Sequence, residues 1–191
     1  MKYYSVTGTD NNSEFYYMND EFLKHCPKCG LIYNREEATA LSVSRFRVKK
    51  KHYTLSHCWD GPMIVSERFV AAYVKHGLKG LGFVKIPQSP GFYLLRALNV
   101  LRYDYARNPR LFMKDQCEEC GQWYEVSLAN PPRVVPEDEA RMEAGAFYRT
   151  DLESGEKVER TPMLLATDPI PRLFRESGIK DVYFDYPEEI G

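Results

Sequence analysis

The chain has 191 residues, 43% of them hydrophobic and 14% aromatic, with 26 Lys/Arg against 27 Asp/Glu. That balance excludes a disordered chain and the strongly basic composition expected of a nucleic-acid binder. No run of 18 apolar residues is present, so no membrane-spanning helix is expected. The near-zero net charge conceals a polarity: residues 1–114 hold 18 Lys/Arg against 9 Asp/Glu, and residues 115–191 hold 8 against 18. The simplest account is two sets of charges that attract each other within the fold or lie on separate solvated surfaces. The sharper one is a basic and an acidic face, each steering a partner of opposite sign.

The first segment, MKYYSVTGTDNNSEF, lacks the apolar stretch of a signal peptide, and neither end carries a lipidation motif. A cytoplasmic location is therefore expected. In that compartment the five cysteines point to metal or free thiols rather than disulfides. Along the chain, FLKHCPKCG (22–30) supplies a C-x-x-C-G knuckle, and ALSVSRFRV (40–48) alternates as a strand does. RFRVKKKHY (45–53) interleaves basic and aromatic residues; it suits phosphates, or more simply a solvated, edge-protecting face. In SHCWDGP (56–62), Cys58 beside His57 reads either as a Cys–His nucleophile or, more simply, as a buried free thiol, and Asp60-Gly61-Pro62 reads as a turn. His25, His52 and His76 show no ligand spacing and read as surface or core residues.

Ser66 is a good N-cap for a helix carrying Phe69, Ala72 and Tyr73 on one face, and Gly77 marks its end before a strand. FYLLRALNVLRYDY (92–105) is read as strand leading into FMKDQCEECG, the second knuckle. Residues 128–146 read as a loop with a short helix after Pro136. Thr167 is the expected cap of a last helix with Ile170, Leu173 and Phe174 on its face, closed by Gly178 and followed by a strand. No phosphate-binding glycine loop, nucleophile elbow or zinc-protease motif occurs, so no catalytic residue and no enzyme is expected.

Two segments recur in the same order. FLKHCPKCGLIY (22–33) returns as FMKDQCEECGQWY (112–124), and HGLKGLGF (76–83) returns as SGIKDVYF (177–184). The expected fold is α+β: a duplicated strand-rich unit with one short helix per half, the halves joined by a zinc-ribbon-like site of four cysteines. A single domain over 1–191 then comprises two repeats, about 15–90 and 105–190. Cys26, Cys29, Cys117 and Cys120 are the candidate metal ligands, since two C-x-x-C pairs complete a tetrahedral thiolate set. A structural zinc is the leading reading, and iron takes the same four ligands. A thioredoxin-like dithiol fits less well, because GLIYN and GQWYEV look extended rather than helical. Four thiolates leave no open position for a catalytic water.

The paired CxxCG motifs, WDGPMIVSERF with GLKGLGF between them, and YRTDLE followed by PMLLATDPIPRLFRESGIKDVYF make the chain resemble the double-CXXCG motif immunity proteins over about residues 15–187. These are bacterial proteins paired with toxins used against neighbouring cells. The resemblance implies a non-enzymatic protein that binds and neutralises a cognate toxin, expected to be encoded next door, with the four cysteines as metal ligands. Pro169 and Pro171 depart from a regular second helix. The acidic C-terminal segment DVYFDYPEEIG, with Tyr183, Phe184 and Tyr186, is a candidate surface for a basic toxin such as a nuclease. The alternative is a zinc-ribbon nucleic-acid-binding protein.

Overall fold

Two β-sheets share the chain in a computed structural model that describes residues 1–156 and 159–186, without the side chains of residues 18–20. The strands are β1 (Tyr3–Thr7), β2 (Thr9–Asp10), β3 (Leu55–His57), β4 (Met63–Ser66), β5 (Leu81–Lys85), β6 (Phe92–Ala97), β7 (Val100–Leu101), β8 (Phe112–Gln116), β9 (Trp123–Ser127), β10 (Phe147–Glu156), β11 (Thr161–Thr167) and β12 (Tyr183–Asp185). The helices are α1 (Arg35–Ser42), α2 (Glu67–Lys75), α3 (Pro136–Glu139) and α4 (Ile170–Glu176), preceded by a 3-10 turn at Tyr17–Phe22. One sheet runs β12-β1-β11-β10-β9-β8, with β7 added to β10; the other runs β2-β3-β4-β6-β5. The α+β class is as expected.

The expectation of one short helix per half is corrected: among the described residues each half carries two. In the first half the extra one is α1, which runs into the stretch 40–48 where alternation predicts a strand. Its sequence REEATALS places Glu36 and Glu37 in the first helical turn, where they complement the helix dipole. The alternation survives only after the helix, where Phe46 and Val48 are buried and Arg45 and Arg47 exposed, with no ladder partner. A single extended segment packed on a core alternates like a strand, because alternation reports burial and not pairing. The stretch 92–105 is strand as expected, but it breaks at Leu98–Asn99 and changes sheet, β6 belonging to one and β7 to the other.

Helices α2 and α4 meet in one core between the sheets. Phe69 of α2 lies 5.0 Å from Phe174 of α4 and 6.1 Å from Phe147 of β10, ring centre to ring centre, and all three are fully buried. Their contacts are tilted or edge-on, the arrangement aromatic quadrupoles favour. Ser66 stands at the α2 N-cap as expected, although its hydroxyl makes no capping bond. Thr167 does not cap α4, whose N-cap is Pro169. Its hydroxyl instead donates to the Glu143 carbonyl at 2.7 Å and accepts from the Ala146 N–H at 3.0 Å. Gly77 and Gly178 close their helices with φ of 61° and 71°. Gly80 is required by contact as well as by conformation: its φ is 88°, and a Cβ there would lie 2.1 Å from the Phe147 carbonyl oxygen. Only glycine lets the start of β5 approach the start of β10 so closely.

Candidate metal centre

Each knuckle is the turn of a narrow antiparallel pairing. His25 bridges Ile32 across the first, and Gln116 of β8 faces Trp123 of β9 across the second. The hydrogen bonds repeat in detail. Cys26 N–H donates to the Leu31 carbonyl at 2.9 Å and Gly30 N–H to the Cys26 carbonyl at 2.8 Å; Cys117 N–H donates to Gln122 at 2.9 Å and Gly121 N–H to Cys117 at 2.8 Å. Gly30 and Gly121 adopt φ of 75° and 69°, the left-handed conformation anticipated for the residue after each pair.

This geometry brings the four predicted ligands to one point. All four sulfurs of Cys26, Cys29, Cys117 and Cys120 lie within 4.8 Å of one another. Cys26 and Cys117 Sγ are 3.8 Å apart, and Cys29 and Cys120 Sγ 3.6 Å. A tetrahedral ion with metal–sulfur bonds of about 2.3 Å requires sulfurs about 3.8 Å apart. The separations fit that edge and are far too long for disulfides, and all five cysteines are free. The set is therefore a possible four-cysteine metal site that links the two halves of the chain. Backbone N–H groups of Cys120 and Glu119 hold the Cys117 thiol down at about 7, the direction ligation needs. Burial and the neighbouring thiols push the Cys29 thiol up to about 12. Four sulfurs this close cannot all ionise unless a cation neutralises them.

One functional detail was missed from the sequence. His25, read as a surface or core residue, donates from Nδ1 to the Gly30 carbonyl at 2.9 Å, and Gln116 donates from Nε2 to the Gly121 carbonyl at 2.9 Å. The two side chains occupy equivalent places immediately before Cys26 and Cys117. Aligning FLKHC with FMKDQC was the available signal, obscured because histidine and glutamine share donor chemistry but not shape.

The halves are also tied by charge. Lys28–Glu118 (2.5 Å), Arg35–Glu153 (3.5 Å), Lys79–Glu143 (2.8 Å), Arg102–Asp138 (2.9 Å) and Arg107–Glu139 (3.1 Å) each join a base from residues 1–114 to an acid from residues 115–191. The simpler account of the charge polarity, mutual attraction within the fold, is thus realised in these pairs. Within the basic stretch 45–53, Arg45 pairs with Glu21, and Lys50 Nζ donates to Asn12 at 2.8 Å. Cys58 is buried beside Phe46, Val48 and Ile64, and burial together with Asp60 and Asp10 pushes its thiol far above the ordinary value. That environment suppresses the thiolate a nucleophile needs.

Asp60 does more than turn the chain. Fully buried, it accepts backbone N–H bonds from Phe15, Tyr16 and Tyr17, anchoring the segment that leads to the first knuckle. Burial raises its carboxyl while those donors pull it back. Of the three candidate aromatic anchors, Tyr183 and Tyr186 are exposed, whereas Phe184 packs against Phe174 and Tyr4. The rest of that candidate surface, residues 187–191, lies outside the described residues. Among the described residues, no helix is long and apolar enough to cross a membrane. No protein-family model matches the chain, and no curated protein matches it.

Proposed function

We propose that this chain is a toxin-neutralising immunity protein of the double-CXXCG type, non-enzymatic, acting in the cytoplasm of the producing cell, with a structural zinc ion in a closed four-cysteine site. The observation that carries the reading is the convergence of Cys26, Cys29, Cys117 and Cys120, the residues of the motif that bears the resemblance, on a point between the two halves. A closed thiolate set is suited to holding surfaces in place and leaves no position for a substrate. The duplication of an ancestral unit is part of this proposal. It is supported by the matching knuckle hydrogen bonds and by the shared order of strand, helix, left-handed glycine and strand in β4–α2–β5 and β11–α4–β12. The toxin is proposed to dock at the edge strand β12, where Tyr183 and Tyr186 offer exposed aromatic anchors.

Tagged protein should capture the product of the adjacent gene, and expressing the chain should rescue cells from that product. Absence of both capture and rescue would overturn the reading. Elemental analysis separates zinc from iron, with about one ion per chain expected in total.

One observation favours the second reading, a zinc-ribbon nucleic-acid binder. A groove of about 530 Å³ is lined by Arg107, Arg110, Arg133 and Tyr186, a basic and aromatic combination suited to a single strand. That reading requires affinity for single-stranded oligonucleotides that falls steeply with salt, and no binding at about 50 mM salt removes it.

A further inference from the structure

A second cavity, of about 250 Å³, opens where the sheets meet beside α1, and its lining combines charged and apolar residues. Arg35, Arg149, Arg160 and Glu153 are among its lining residues, and so are the apolar Met63, Leu94 and Leu164. Arg96 and Glu36 also reach it but pair with each other at 3.3 Å as exposed groups, and cancel. Arg35, Arg149 and Arg160 therefore line the cavity together with Glu153.

That carboxylate is already engaged, since Glu153 pairs with Arg35 at 3.5 Å. Arg35 in addition donates to the Arg160 carbonyl. Arg160 is 7% exposed; its guanidinium donates to the Trp123 carbonyl at 2.9 Å and more distantly to Gln122, and its Nε has no partner among the described residues. The Arg149 side chain makes one hydrogen bond, to the Thr150 carbonyl at 3.3 Å, and pairs with no acid among the described residues. Burying positive charge without matching it is costly, and an arginine such as Arg149, needed only for folding, would be paired with an acid. A surplus of fixed guanidinium groups in a partly desolvated cleft instead concentrates field on an anion and offers it forked donors.

We infer that this cavity binds a small organic anion, a phosphate or carboxylate on an apolar stem, with Arg149 and its arginine neighbours holding the charged group and Met63, Leu94 and Leu164 holding the stem. The volume, about 250 Å³, admits a single-ring ligand. The inference does not rest on the toxin-binding reading, and because Arg160 also braces the second knuckle through Trp123 and Gln122, it is tested on metal-loaded protein.

Phenyl phosphate is a suitable probe, titrated calorimetrically into the metal-loaded full chain at constant ionic strength. Saturable binding at one site is expected, with inorganic phosphate and neutral phenol each binding at least about tenfold more weakly, because each supplies half of the complementarity. Phenol binding as well as phenyl phosphate would overturn the charged half of the inference, and equal binding of inorganic phosphate would overturn the apolar half. Absence of saturable binding at millimolar probe would overturn the whole. Arg149→Gln should weaken phenyl phosphate about tenfold or more with melting unchanged, while Arg110→Gln, outside the cavity, should bind as the parent does. Unchanged affinity in a folded Arg149→Gln variant would also overturn the assignment. The comparison of the three probes on the unsubstituted protein keeps the test decisive even if that variant fails to fold.

Discussion

Two regions join the halves of this chain, and they do so by different physics. Between the sheets, Phe69 from the first half meets Phe147 and Phe174 from the second in a fully buried aromatic core. At the knuckles, four sulfurs meet nearer the surface: Cys26 and Cys117 are buried, but Cys29 and Cys120 are only half-buried, and the Lys28–Glu118 pair beside them is exposed. The core is cohesive because apolar area leaves water and dense packing supplies dispersion contacts. The knuckle region buries Leu31 and Ile32 but no aromatic cluster of that kind, and on the proposed reading ligation supplies the rest of its cohesion.

The comparison is broken most severely by removing a ligand. Cys117→Ser should lose the ion and the binding free energy coupled to folding, which is on the order of 10 kcal/mol in small zinc modules. Metal content and thermal melting check this, and metal-free protein that melts like the parent would show that the knuckles need no ion. Phe174→Ala should cost about 3–5 kcal/mol in urea unfolding yet keep its metal content, because the cavity it leaves is in the core and not at the knuckles. Loss of metal in that variant would mean the two regions are one cooperative unit.

Smaller effects sharpen the picture. His25→Ala and Gln116→Ala should each cost about 1 kcal/mol and speed metal release to a chelator to similar degrees, since each removes one knuckle hydrogen bond. Unequal release rates would show that one knuckle holds the ion more rigidly. The smallest expected effect is electrostatic. Arg102 holds the Asp138 carboxyl below the usual carboxylate range, a depressed folded-state value. Its contribution is therefore present above the unfolded carboxylate value, about pH 4, and is lost as pH falls through the lower folded value. The stability difference between the parent and Asp138→Asn should be constant above about pH 5 and close in more acid solution, and a difference that widens there would reverse the assignment.

The charge polarity shows how a sequence signal changes meaning in the fold. A surplus of 9 bases over residues 1–114 and of 10 acids over 115–191 reads most simply as internal attraction or separate solvated surfaces, and more sharply as two steering faces. The pairs Arg35–Glu153, Lys79–Glu143 and Arg107–Glu139 spend part of both surpluses across the boundary. Exposed members of such pairs contribute little stability each, so their value lies more in register than in energy.

Local chemistry was legible in advance: the ligand set, the left-handed glycines after each knuckle, the end of α2 at Gly77, the turn at Asp60-Gly61-Pro62 and the short helix after Pro136 all follow from neighbours along the chain. Residues 40–48 misled because burial alternates in any extended segment against a core. Thr167 misled because a hydroxyl placed to cap a helix is equally placed to serve a crossing chain. The sequence by itself therefore determined which cysteines pair into knuckles and how each knuckle turns, because those properties depend on a few adjacent residues. Only the tertiary structure decided that the knuckles meet, that β6 and β7 part company between sheets, that Asp60 anchors residues 15–17, and that Arg35, Arg149 and Arg160 crowd one cavity. Those facts depend on contacts between residues tens of positions apart, which the packing of two sheets fixes and no local pattern records.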